Sequence, residues 1–277
     1  MSSVRSARTI QFDHDTSRPI DHDATPSILV CILGDFLVLK SGRPVGLRSS
    51  GKSEALLCHL ALQHRHHIHR DTILQELWPD SNTTLATQSL NSLIYTLRKT
   101  LGDHISGAAP IVNVDGYYRL NTEAGVGVDV ACFDAEADAG DRYSRAGSSL
   151  PALAAYRRAV SLYRGDLCVA RDVHSIIERE RLRVRYLGIR AYLADHHYGA
   201  GDYAACLDYT ARLLNSDPCR EDAHRLVIRC YVRLGQRAQA LRQYRLCQDL
   251  LRREFDAVPE PATTLLFDQV RLDPNSI

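Results

Sequence analysis

The sequence predicts a mostly α chain with a small α+β part near its start, and three observations carry this. Within Thr84–Leu101, Leu90, Leu93, Ile94, Leu97 and Leu101 recur at the spacing of one apolar helix face. Further on, Ile111-Val112-Asn113-Val114 and Tyr117-Tyr118-Arg119-Leu120 flank Asp115-Gly116, a strong short hairpin signal. From Asp129 to Val270 almost every stretch has helical spacing, and two similar segments open at Gly201 and Gly235, 34 positions apart. A helix, a loop, a second helix and a hairpin follow one another in a winged helix-turn-helix. A period of 34 with Gly, small residues and Leu marks a tetratricopeptide repeat. The expected architecture is therefore a winged helix-turn-helix over 28–121 and an all-α, tetratricopeptide-like domain over 128–271.

Length and composition allow this division and exclude several classes. A chain of 277 residues can hold one to three domains. Its formal charge of +1 supplies no global field toward nucleic acid. Between Ser27 and Asn121 there are 9 Lys/Arg against 7 Asp/Glu, a balance of +2; from Thr122 onward 22 oppose 22. The eight cysteines are scattered and form no C-x-x-C pair, so reduced thiols are expected rather than a disulfide framework or a zinc site. No apolar run approaches a membrane span and no signal-peptide core opens the chain, which reads as cytoplasmic, with no membrane partner.

Taken in order, residues 1–27 are polar and aperiodic, and a disordered leader is expected. Ile28-Leu29-Val30-Cys31-Ile32-Leu33 and Phe36-Leu37-Val38-Leu39, broken at Gly34-Asp35 and followed by Ser41-Gly42-Arg43-Pro44, read as short antiparallel strands. Gly51 to His64 reads as the first helix, with Leu56, Leu57 and Leu60 on a broad apolar face. His64, His66, His67 and His69 follow where a short connector belongs. Without a nearby cysteine or carboxylate pair they read as surface residues rather than metal ligands. Asp71–Trp78 is a second helix, capped by Asp71 and stopped by Pro79. Trp78 is assigned to the core beneath the hairpin.

Gly46-Leu47-Arg48-Ser49-Ser50-Gly51-Lys52-Ser53 fits the phosphate-loop pattern G-x-x-x-x-G-K-[ST]. In such a loop backbone N–H groups wrap phosphates, Lys reaches their oxygens and Ser binds Mg²⁺. The fold that this requires starts with a buried parallel strand running into the loop, and here a polar turn stands in its place. After the hairpin, Asn121–Gly127 reads as a linker between two units with separate cores. Asp129 then caps a helical run through Phe133. Helices are expected over Leu150–Tyr163, His174–Tyr198, Asp202–Leu214, Glu221–Leu234, Arg237–Phe255 and Pro261–Val270. Ala204 and Ala238, at equivalent repeat positions, are expected to let paired helices approach closely. A partial earlier copy begins at Gly147, and a plain helical bundle remains open for Asp129–Gly199.

The face of Thr84–Leu101 opposite its apolar stripe collects Gln88, Ser92, Tyr95, Thr96 and Lys99, with Asn91 and Arg98 on the flank. It is polar and basic and carries no acid. Such a helix enters the major groove while its hairpin reaches flanking backbone. Lys99, Arg98 and Arg119 are candidates for phosphate contacts. Gln88, Asn91, Ser92, Tyr95 and Thr96 are candidates for base edges or register, with Tyr117 on the hairpin.

Across about Ile28 to Val270 the chain resembles the bacterial activators known as Streptomyces antibiotic regulatory proteins. The likeness rests on Leu33-Gly34, Gly42-Arg43-Pro44-Val45, Leu77-Trp78-Pro79-Asp80, Leu97-Arg98-Lys99-Thr100-Leu101-Gly102-Asp103 and Gly116-Tyr117. It continues through Val128-Asp129, Phe133, Ala159-Val160-Ser161-Leu162-Tyr163-Arg164-Gly165 and Gly235, Ala238, Ala240-Leu241 and Tyr244. The resemblance implies an OmpR-like winged helix joined to a bacterial transcriptional activation domain of tetratricopeptide type. It further implies an activator that binds promoter repeats in double-stranded DNA, dimeric on that DNA. The helical domain would contact RNA polymerase or another transcription protein. Lys52 would sit at the start of the first helix, where the family often has a basic residue. Gln88, Ser92 and Tyr95 depart from the more basic recognition helices of the family. No cofactor and no enzymatic activity are expected. The alternatives are a nucleotide-dependent regulator or enzyme using Gly46–Ser53, and a tetratricopeptide adaptor that does not bind DNA.

Overall fold

The computed structural model describes residues 26–47, 51–102, 105–169 and 173–273. The leader expected over 1–27 lies almost wholly outside them, as do Arg48, Ser49 and Ser50 of the phosphate-loop pattern.

Three strands open the fold: β1 (Ile28–Cys31), β2 (Leu37–Lys40) and β3 (Arg43–Pro44). The helices α1 (Lys52–Leu62), α2 (Arg70–Leu77) and α3 (Thr83–Leu101) follow, with β4 (Ile68–His69) between the first two. The hairpin of β5 (Ile111–Val114) and β6 (Tyr117–Leu120) forms as its alternation requires. Its outer side chains, Tyr117 and Arg119, are exposed and half-buried, whereas Tyr118 and Leu120 are buried. Asp115 and Gly116 both take positive φ, at 52° and 83°, the backbone of a tight two-residue turn.

Two expectations change in the short connections. The histidine segment is not merely a connector, because Ile68–His69 pairs with β6 in a sheet ordered β4-β6-β5. The cap of α2 is His69, whose Nδ1 accepts the Asp71 N–H at 3.3 Å. Asp71 lies inside the first turn, where a carboxylate favours the positive end of the helix.

The larger correction concerns Asn121–Gly127. The chain there turns back, and β7 (Val126–Val128) adds to the first sheet, ordered β3-β2-β1-β7. It runs parallel to β1, with Ile28 opposite Val126 and Val30 opposite Val128. The stretch is therefore a tight turn running into sheet rather than a linker, and the cores are not separate. One buried cluster runs from Ile28 and Val30 through Leu56, Leu90 and Leu97 to Phe133, Tyr156 and Leu193. Short apolar runs carry no signal of a partner strand so far along the chain, which is why sequence reading missed this pairing.

Helix α4 (Asp129–Arg145) starts directly after β7. Asp129 is buried, and its carboxylate accepts the N–H groups of Ile32, Leu33 and Val130 at 2.9–3.0 Å. It satisfies the end of β1 as well as its own helix. Burial raises its pKa, against the pull of those N–H groups. The loop after α5 (Ser149–Leu162) closes on the same place. Gly34 N donates to Asp166 O and Cys168 N to Ile32 O, both at 2.9 Å. Gly34 and Gly165 meet backbone to backbone, so that a Cβ on Gly165 would lie 3.1 Å from the Gly34 Cα.

Among the described residues five further helices follow: α6 (Val173–Gly199), α7 (Tyr203–Ser216), α8 (Glu221–Arg233), α9 (Arg237–Phe255) and α10 (Pro261–Leu272). The 34-residue period falls on the starts of α7 and α9, at Tyr203 and Arg237. The small residues that permit close packing are Cys206 and Ala240, both buried. Ala204 and Ala238 are exposed, two positions earlier and about 200° away around the helix. Asp134 of α4 joins the halves electrostatically. It accepts from Arg181 and Arg185 of α6 and lies 3.8 Å from Arg65 in the turn after α1.

Candidate nucleic-acid interface

Helix α3 buries Leu90, Leu93, Ile94, Leu97 and Leu101 and leaves the opposite side open. Asn82 caps it, its side-chain oxygen accepting the Thr84 N–H at 2.8 Å. Gln88, Asn91, Ser92, Tyr95 and Lys99 are exposed on that side, and Thr96 is half-buried beside them. Thr96 donates its hydroxyl to the Ser92 carbonyl at 2.9 Å, leaving an oxygen able to accept. The Lys99 ammonium lies 5.4 Å from the centre of the Tyr95 ring, so that this tyrosine spreads over the surface of its own helix.

Arg98 is placed differently from the expectation of a phosphate contact. Its Nε and Nη2 donate to the Ile111 carbonyl at 3.1 and 2.7 Å, and the side chain is half-buried. A guanidinium so engaged fixes α3 to the start of β5. Arg119 is half-buried on the outer face of the hairpin and pairs with Glu123 at 3.6 Å. Tyr117 is exposed and meets the His69 ring edge-on at 4.9 Å. Both lie on β6, after the turn.

Trp78 packs against the cluster that also holds Ile111, Tyr118 and Leu120 of the hairpin. Its half-buried indole carries Lys52, whose ammonium stands 4.5 Å from the ring centre. Lys52 and Trp78 close one side of an open cleft of about 490 Å³ whose other side is Gln88, Ser92 and Thr96. Lys52 therefore belongs with the polar face of α3, although the sequence reading left it out of the candidate interface. The signal was its place at the start of α1, but nothing local shows which neighbour that helix end meets.

The phosphate-loop reading finds no such frame. The strand before Gly46 is β3, a two-residue exposed edge strand antiparallel to β2, and Lys52 is engaged with an indole. Among the described residues no group of His, Cys, Asp or Glu is arranged to hold a metal ion. His64 instead meets the Ala61 carbonyl at 3.1 Å. No helix among the described residues is long and apolar enough to cross a membrane.

Comparison with known proteins agrees with this architecture. Residues 128–271 match the bacterial transcriptional activator domain, and residues 42–119 match the C-terminal domain of transcriptional regulatory proteins. The regulatory protein AfsR of Streptomyces coelicolor is 23% identical over 244 residues, covering 88% of this chain. The chain spans only 24% of the length of AfsR. Among solved structures, Mycobacterium tuberculosis EmbR in complex with a low affinity phosphopeptide superposes with a TM-score of 0.71 at 21% identity. That match covers 89% of this chain and 65% of EmbR, and it shows the fold. Residues 128–271 make up more than half of this chain, and by that match the chain belongs to the family of the bacterial transcriptional activator domain.

Proposed function

We propose that the chain activates transcription by placing α3 in the major groove of a promoter and its β5–β6 wing on the flanking backbone. The observation that carries this reading is the open face of α3, where Gln88, Asn91, Ser92, Tyr95 and Thr96 sit between Lys52 and Lys99. Helix α3 itself contains no acidic residue. Amides and hydroxyls there can read base edges, while the two ammonium groups and Arg119 neutralise phosphates. Tyr117 lies on the wing within reach of the same backbone. The helical half over 128–271 would then meet RNA polymerase or another transcription protein, and two chains would sit on repeated half-sites.

Selection of bound duplexes from a random library, followed by footprinting, tests this. A repeated motif should emerge. Gln88→Ala or Asn91→Ala should relax preference at one base pair by roughly 1–3 kcal/mol. Recovery of no preferred sequence would favour an adaptor that does not read DNA.

A further inference from the structure

The structure places two cysteines of different halves in direct contact. Cys58 lies on α1 and Cys168 in the loop after α5, and their thiols are hydrogen-bonded to each other. They are 110 positions apart in sequence, and Cys168 is held in place by its N–H bond to Ile32. Both line one cleft of about 490 Å³ together with Glu54, Ala55 and Val169. Cys58 is buried, whereas Cys168 is half-buried and nearer to solvent.

We propose that Cys58 and Cys168 form a redox-modifiable pair that hydrogen peroxide converts into a disulfide between the winged-helix half and the helical half.

Exposure divides the roles. Cys168 is half-buried and meets the oxidant first, whereas Cys58 is buried. The Cys168 thiolate attacks one peroxide oxygen. A sulfur–oxygen bond forms, the oxygen–oxygen bond breaks, and the departing hydroxide takes a proton to become water. Cys58 then attacks the Cys168 sulfenic sulfur. The sulfur–sulfur bond forms, the sulfur–oxygen bond breaks, and hydroxide leaves with the Cys58 proton as a second water. Two thiols are oxidised and one peroxide is reduced.

A second pair in the same molecule supplies the internal contrast. Cys206 of α7 and Cys230 of α8 are likewise hydrogen-bonded, but both are fully buried between helices. Neither lines a described cleft. Reactivity follows thiolate character and access together, so the two pairs should separate. A disulfide in a reducing compartment is a transient sensor rather than a permanent staple.

The test uses the full chain. Reduced protein is exposed to hydrogen peroxide, free thiols are blocked with N-ethylmaleimide, and peptides are mapped without reductant. The expected product links the Cys58 and Cys168 peptides, has lost two hydrogens by mass, and separates on adding dithiothreitol. In Cys58→Ala the sulfenic acid on Cys168 should be trapped by dimedone, and in Cys168→Ala no such adduct should form at Cys58. The wild-type map stands even if either variant fails to fold. The proposal is overturned if Cys206 and Cys230 link first, or if Cys168 advances to sulfinic acid with Cys58 still free.

Discussion

Arg98 and Ile111 tie α3 to the wing, the guanidinium donating from Nε and Nη2 to a single carbonyl oxygen. A charge-assisted contact of this kind sets the angle between α3 and β5. Its removal should therefore read as lost structure before lost electrostatics.

Arg98→Ala should lower unfolding free energy by ~1–3 kcal/mol, since the Ile111 carbonyl loses a charged donor. Lys99→Ala and Lys52→Ala should leave urea stability near wild type. Each should reduce the log–log salt slope of DNA binding by about 1. Salt titrations of the three variants check this. An unchanged slope in both lysine variants would remove α3 from the groove.

The wing turn gives a second outcome. Gly116 holds φ of 83° beside Asp115 at 52°, and a β-branched side chain there costs ~1–3 kcal/mol of backbone strain. Gly116→Val should weaken DNA binding while the circular dichroism of the helical half persists. Wild-type affinity in the folded variant would show that the wing is dispensable.

His224 makes the helical half sensitive to acid. Its ring is buried, meeting the Pro218 carbonyl through Nε2 and the Gln243 amide through Nδ1, both at 2.8 Å. A neutral ring can donate at one nitrogen and accept at the other. Burial holds its pKa below the ordinary 6.5, against the pull of the Pro218 carbonyl. The folded protein thus binds fewer protons than the unfolded chain in that interval. The stability this confers is complete above 6.5 and is lost as pH falls through the lowered value. Urea midpoints at about pH 7.5 and about pH 5.5, either side of the ordinary histidine value, should differ less in His224→Gln than in wild type. Equal differences would mean that His224 is not buried neutral.

The shared core sets the fate of fragments. A piece ending at Asn121 lacks β7, so β1 keeps an open edge and Ile28 and Val30 lose Val126 and Val128. It should aggregate, whereas 26–145, which retains β7 and α4, should be more soluble. Unfolding of the full chain should carry the winged helix and α4–α6 together. Two well-separated transitions divided at residue 121 would refute the common core.

Much of this was legible in the sequence because its causes are local. The stripe from Leu90 to Leu101 and the Asp115-Gly116 turn depend on neighbours within one or two turns of chain, and both formed as read. The helices after Asp129 followed for the same reason. What escaped reading depends on contacts across the molecule. β7 could not be matched to β1 from three residues of apolar alternation. Arg98 reads as a basic flank until the Ile111 carbonyl is placed beside it. Lys52 and Trp78 are 26 positions apart, and only the folded chain makes them two walls of one cleft. In the repeat the period was right and its buried phase was not, since the residues facing the neighbour are Cys206 and Ala240.

The direct passage from Val128 into Asp129 bears on how two such molecules could share a promoter. There is no slack between strand and helix, and the Asp129 carboxylate locks the junction onto Ile32 and Leu33. The helical half would thus point in a compass direction fixed by the groove that α3 is proposed to occupy. On the proposed repeats, inserting about five base pairs, half a turn of the duplex, would swing one helical half to the opposite side of the DNA. A tethered domain could reach around; this one would have to be brought back by twisting the double helix itself.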